Sequence, residues 1–91
     1  MLYMVIERFK AGAAPVIYRR LRAEGRRRVD GLEYLASWVD LDFNTCWQVM
    51  KTDDFSLLET WCAGGRELVD FEIVPVRTSA EAAAVMAAQC P

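Results

Sequence analysis

Leu32 to Lys51, quoted with one flanking residue on each side as GLEYLASWVDLDFNTCWQVMKT (31–52), decides the fold. The stretch reads as two adjacent strands joined by a tight polar turn that carries Asp40, Asp42 and Asn44. Alternation puts Tyr34, Ala36 and Trp38 on one side of the first strand and Leu35, Ser37 and Val39 on the other. On the second strand Trp47 and Val49 alternate with Cys46 and Met50. A hairpin with one solvated face would show a polar residue at every second position. Both faces are apolar here, so each is expected to have a cover.

Working outward toward the amino terminus, Leu2 to Phe9 (LYMVIERF) sets Leu2, Met4 and Ile6 against Tyr3, Val5 and Phe9, a second strand with two buried faces. Lys10 to Ala14 contains Gly12 and turns the chain, and Pro15 suits a first helical position because its missing amide hydrogen is not needed there. A helix follows to about Glu24 and stops at Gly25. Val16, Ile17, Leu21 and the ring of Tyr18 form its apolar side, with Arg19, Arg20 and Arg22 toward solvent. Asp30-Gly31 is a turn signal.

Toward the carboxyl terminus, Thr52, Asp53 and Asp54 supply an N-cap and negative charge to a second helix, whose core face is Phe55, Leu58, Trp61 and Cys62. Gly64-Gly65 ends it. Leu68 to Arg77 is the last long strand, with Val69, Phe71 and Ile73 alternating against Asp70, Glu72 and Val74. Pro75 cannot donate to a ladder, which places this strand at a sheet edge or ends it nearby. Thr78 to Glu81 (TSAE) matches a capping box and opens an alanine-rich helix to Gln89. Val85 and Met86 are its only large apolar residues, as befits a lid or a docking element.

The order strand, helix, strand, strand, helix, strand defines an α+β, ferredoxin-like βαββαβ domain over residues 1–91, with a four-stranded antiparallel sheet and an extra C-terminal helix. Two helices cover one face of such a sheet. The first strand and the hairpin are apolar on both faces, more than a monomer usually exposes. The sheet face opposite the helices is therefore expected to meet its counterpart in a homodimer, a dimeric α+β barrel.

Composition narrows the function classes. A chain of 91 residues buries only about 60–65% of the surface it exposes when unfolded, so help from a partner is expected. Three cysteines, Cys46, Cys62 and Cys90, without CxxC or metal-ligand spacing argue against a disulfide framework and for a reducing cytoplasm. No histidine is present, which removes the commonest general base and a common metal and haem ligand. No metal site and no cofactor are expected. Six arginines lie between positions 19 and 28. Such a cluster can contact anions, but the chain's net charge of −2 favours a solvated helix face and loop over a nucleic-acid site. Asp40, Asp42 and Asn44 read as turn residues whose side chains bond local backbone rather than as metal ligands. Met1 to Ile6 is too short and wrongly flanked for a signal peptide or membrane span.

The chain as a whole, and above all MLYMVIERF, GLEYLASWVD and LVDFEIVPV, resembles a small bacterial family of uncharacterised proteins in the dimeric α+β-barrel superfamily. That superfamily also contains antibiotic-biosynthesis-type and haem-degrading monooxygenases, muconolactone isomerases and stress-responsive barrel proteins. The resemblance implies a ligand cavity between sheet and helices. Where the monooxygenases often carry Asn-Arg, with the Asn turned into that cavity, this chain has Glu7-Arg8. Glu7 shares a strand face with Tyr3, Val5 and Phe9, so its carboxyl would have a raised pKa and could shuttle a proton. The competing reading is a strand-end acid paired with Arg77 or another arginine. Glu72, on the neighbouring last strand, is the second catalytic candidate, since two close carboxylates push their pKa values apart. Tyr3, Tyr34, Trp38, Trp47 and Trp61 are candidate ligand-binding aromatics, each equally readable as core. Cys46 and Cys62 read as small buried hydrophobes. Two functions follow: a protein that binds a small apolar or aromatic molecule, or a cofactor-independent isomerase or monooxygenase-like enzyme using Glu7.

Overall fold

A computed structural model describes residues 1–90. Its elements are β1 (Leu2–Phe9), α1 (Ala14–Glu24), β2 (Glu33–Val39), β3 (Thr45–Lys51), α2 (Phe55–Ala63), β4 (Val69–Val76) and α3 (Ser79–Gln89). The strands form one antiparallel sheet in the order β2-β3-β1-β4, the ferredoxin-like arrangement that the element order implies. Pro75 accordingly lies on an edge strand.

Register sorts the side chains onto two faces. On the face toward the helices Tyr3 pairs with Met50, Val5 with Gln48 and Glu7 with Cys46, while Val5 also pairs with Ile73 and Glu7 with Phe71. On the other face Met4 pairs with Val49 and Val74, and Ile6 with Trp47 and Glu72. The β2–β3 register shifts between Tyr34 and Ala36, so strict alternation does not hold through Leu35. Tyr34 pairs with Met50 on the helix side, whereas Ala36 and Trp38 pair with Val49 and Trp47 on the open side. The expected single row of Tyr34, Ala36 and Trp38 is thus split by a bulge, whose extra residue restarts the alternation.

The core gathers under α2. Val5 and Leu58 are wholly buried, and Met50 and Cys62 nearly so. Tyr3, Leu32, Trp61, Phe71 and Ile73 pack around them. Asp54 caps α2 by accepting a 3.0 Å hydrogen bond from the Ser56 amide. Pro15 stands in the first turn of α1 and Gly25, at φ 71°, ends it. The α1 helix buries no residue. Thr78 and Glu81 cap α3 as the TSAE motif predicts, the Glu81 amide donating to the Thr78 hydroxyl at 3.1 Å.

No residue of α3 is buried either. The radius of gyration is 15.2 Å and the extents are 51 × 30 × 18 Å, whereas a compact chain of this length has a radius of about 12 Å. None of the helices among the described residues is long and apolar enough to cross a membrane.

Candidate functional site

Because α2 packs tightly and α1 does not, the helix face of the sheet is unevenly covered. A cavity of about 540 Å³ opens beneath α1, within the size range of small-molecule sites. Its floor is Glu7, Cys46 and Gln48 from the two central strands, its roof Ile17, Tyr18 and Leu21, and its end wall Trp61, Gly64, Gly65 and Phe71. The Phe43 ring, from the β2–β3 turn, meets Tyr18 edge to face at a centroid distance of 5.9 Å, tying the turn to the roof. Phe43 takes a left-handed φ of 58° in that turn. The turn itself is held by Asp40, whose Oδ1 accepts from the amides of Asn44 and Thr45, both at 2.7 Å. This is the turn role expected of these residues.

Glu7 is the acid of this cavity. Burial raises its pKa above the ordinary 4.5, opposed by a hydrogen bond with the Cys46 thiol and by the positive charges of Arg27 and Arg26. No arginine forms an ion pair with it; the ion pairs among the described residues are Met1–Asp53, Arg8–Glu72 and Arg20–Glu67. Burial, with Glu7 beside it, pushes Cys46 up to about 12, and burial pushes Cys62 up to about 11. Neither thiol is ionised near neutral pH, which fits inert core cysteines. Gln48, 5% exposed, donates its amide only to the weakly accepting Met50 sulfur at 2.9 Å, so it retains polar capacity at the floor.

A raised carboxyl pKa makes the fold most favoured while Glu7 is protonated. That stability is complete below the unfolded pKa and is lost as pH rises through the folded one. Glu7→Gln, a neutral near-isostere, is therefore expected to raise the melting temperature at pH 7 and to flatten its decline between pH 4.5 and 7. Melting curves of both proteins across that range measure it; a parallel pH profile for the variant would contradict the assignment.

The other candidates separate. Glu72 pairs with Ile6, on the opposite face from Glu7, and Arg8 holds it at 2.9 Å; it is not the second acid of a dyad. Trp38 and Trp47 face each other across β2 and β3 on the open side and are not cavity residues. Tyr3 packs in the core under α2, its ring 5.4 Å from that of Phe55. Tyr34 lies on the helix side beneath Arg26, with its hydroxyl 2.7 Å from that of Ser37. Trp61 alone of these aromatics borders the cavity.

The arginine segment is exposed to solvent, as the sequence suggests, yet part of it edges the cavity. Arg20, Arg26 and Arg27 all border the cavity. Arg20 is paired to Glu67 at 2.6 Å; Arg26 stacks over Tyr34 at 4.0 Å and Arg27 over Trp61 at 5.1 Å. The available signal was Gly25, whose positive φ turns the chain after α1. Among the described residues no cluster of three or more cysteine, aspartate or glutamate side chains could hold a metal.

These features define a ferredoxin-like α+β domain with an acid-floored, arginine-edged cavity under its first helix. The chain belongs to the DUF3303 family, a domain of unknown function whose model matches residues 1–90. This agrees with the uncharacterised family that the sequence resembles. A search of curated proteins found no match. Among solved structures, the chain is similar to a protein assigned as an antibiotic biosynthesis monooxygenase from Chloroflexus aurantiacus J-10-fl. The two share 19% identity over 86% of this chain and 96% of the other, with a TM-score of 0.47.

Proposed function

We propose that this protein binds a small aromatic or apolar molecule in the cavity under α1. The observation that carries this reading is the cavity itself: about 540 Å³, with Ile17, Leu21, Trp61 and Phe71 among its walls, Glu7 and Gln48 at its floor and arginines at its edge. Melting shifts with a panel of aromatic acids and quinols test it. A ligand present at about 100 times its Kd adds about 2.7 kcal/mol, a shift on the order of 10 °C or more for a domain of this size. Absence of any shift across the panel would count against the site.

A second reading, a cofactor-independent isomerase or monooxygenase-like enzyme, is favoured by one feature: the raised pKa of Glu7 at the cavity floor. A Glu7→Gln variant that retained full turnover on a substrate of the wild-type protein would remove it.

The assembly we propose is a two-fold homodimer through the open sheet face, where Trp38, Trp47 and Val74 are exposed and Met4, Ile6 and Val49 are half-buried among them. The unburied α3 is consistent with a helix that docks on a second copy. A reducing cytoplasm suits the free Cys46, Cys62 and Cys90.

A further inference from the structure

Arg26 and Arg27 leave the end of α1 in one short excursion, yet each is held in a seat of its own at the cavity edge. The Arg27 guanidinium donates to the Trp61 carbonyl at 2.7 Å and stacks over the Trp61 ring. It also occupies the space beside the end of α2 that a Cβ at Gly64 would enter. Arg26 lies over the Tyr34 ring at 4.0 Å. Neither has a carboxylate within ion-pair distance among the described residues, whereas Arg20 nearby is satisfied by Glu67. A guanidinium has five donors, and Arg27 spends one nitrogen on Trp61. Two stacked cations therefore retain donors at the rim of the cavity, a setting in which arginine recognises planar anions through paired hydrogen bonds.

We propose that the ligand of this cavity is an aromatic carboxylate, with its ring under α1 against Trp61 and Phe71 and its carboxylate received by Arg26 and Arg27. This rests on the cavity being the binding site and adds the charge of the occupant. The two guanidiniums at the cavity edge have donors to spare, and a monoanion there would take them up. A planar carboxylate suits the two forks better than a dianionic phosphate, for which Glu7 on the floor and Glu24 at the edge are poor neighbours.

The test uses matched probes of one ring system, 2-naphthoate and 2-naphthamide, titrated calorimetrically into the full chain. Wild type is compared with Arg26→Gln, Arg27→Gln and, as an equal charge change that does not border the cavity, Arg28→Gln. Naphthoate is expected to bind about tenfold or more tighter than the amide, the scale of a hydrogen bond to a charged group. Arg26→Gln and Arg27→Gln should each erase most of that preference, whereas Arg28→Gln should leave it unchanged. Equal wild-type affinities for acid and amide would overturn the carboxylate assignment and leave the cavity reading standing. An Arg28→Gln loss as large as that of Arg27→Gln would do the same by showing a diffuse charge effect. Binding of neither probe would overturn both readings. The wild-type acid-to-amide ratio needs no variant, so it decides even if a variant folds poorly.

Discussion

Ile6→Glu is expected to sediment as a single subunit at concentrations where the wild-type protein sediments as two. Ile6 is the middle of β1 on the open face, flanked across the ladder by Trp47 on one side and Glu72 on the other. In the proposed dimer a carboxylate there would lie near the interface centre without a partner. An uncompensated buried charge costs about 3–5 kcal/mol, which weakens association by at least about 10²-fold. In a lone subunit the same carboxylate points to water, so the secondary structure should survive. Trp38 and Trp47 report the change: already 59% and 37% exposed within one chain, they should emit further to the red in the variant than in the dimer. Wild type that sediments as one subunit at micromolar concentration would remove the dimer outright. A variant that stays a dimer would move the interface elsewhere.

The open face was legible because apolar residues recur on both sides of β1 and the hairpin, and period-two alternation needs no tertiary information. The β4 edge position was legible from Pro75, and the helix caps from Asp54 and TSAE, for equally local reasons. Where the reading failed, the missing information was non-local. The bulge at Leu35 has no signature in EYLASWV, where Tyr34, Leu35, Ala36, Trp38 and Val39 are apolar whichever face they take, yet it moves Tyr34 to the opposite face from Trp38. Pairing Glu72 with Glu7 needed the β1–β4 register, and a shift of one residue exchanges the faces. Of the candidate site, Glu7 and Trp61 border the cavity as expected, whereas Trp38 and Trp47 look away from it. The arginines are exposed, as the sequence suggests, but net charge describes the whole chain and says nothing of two guanidiniums stacked on Tyr34 and Trp61. Nor can periodicity tell a helix that packs from one that roofs a space: the apolar stripes of α1 and α2 look alike, but only α2 buries any residue.

That difference between the helices predicts a sharp contrast between two leucine truncations. Leu58, at 0% exposure, sits among Val5, Met50 and Cys62 with no space to collapse into. Leu58→Ala removes its transfer energy and leaves a void, a loss of about 2–5 kcal/mol. For a domain of this length the melting temperature should fall on the order of 10–30 °C, compared at one fixed protein concentration. Leu21, on α1, already borders open volume, so Leu21→Ala enlarges an existing space and forfeits only part of a side chain's burial, about 1 kcal/mol or less. Urea titrations with unchanged slopes would give both values. The Leu21→Ala protein should also show altered affinity for whatever occupies the cavity, an effect that Leu58→Ala, beneath the other helix, has no direct route to produce. Equal losses of stability at the two positions would mean that α1 packs as tightly as α2 in solution. In that case no room would remain beneath it for a ligand.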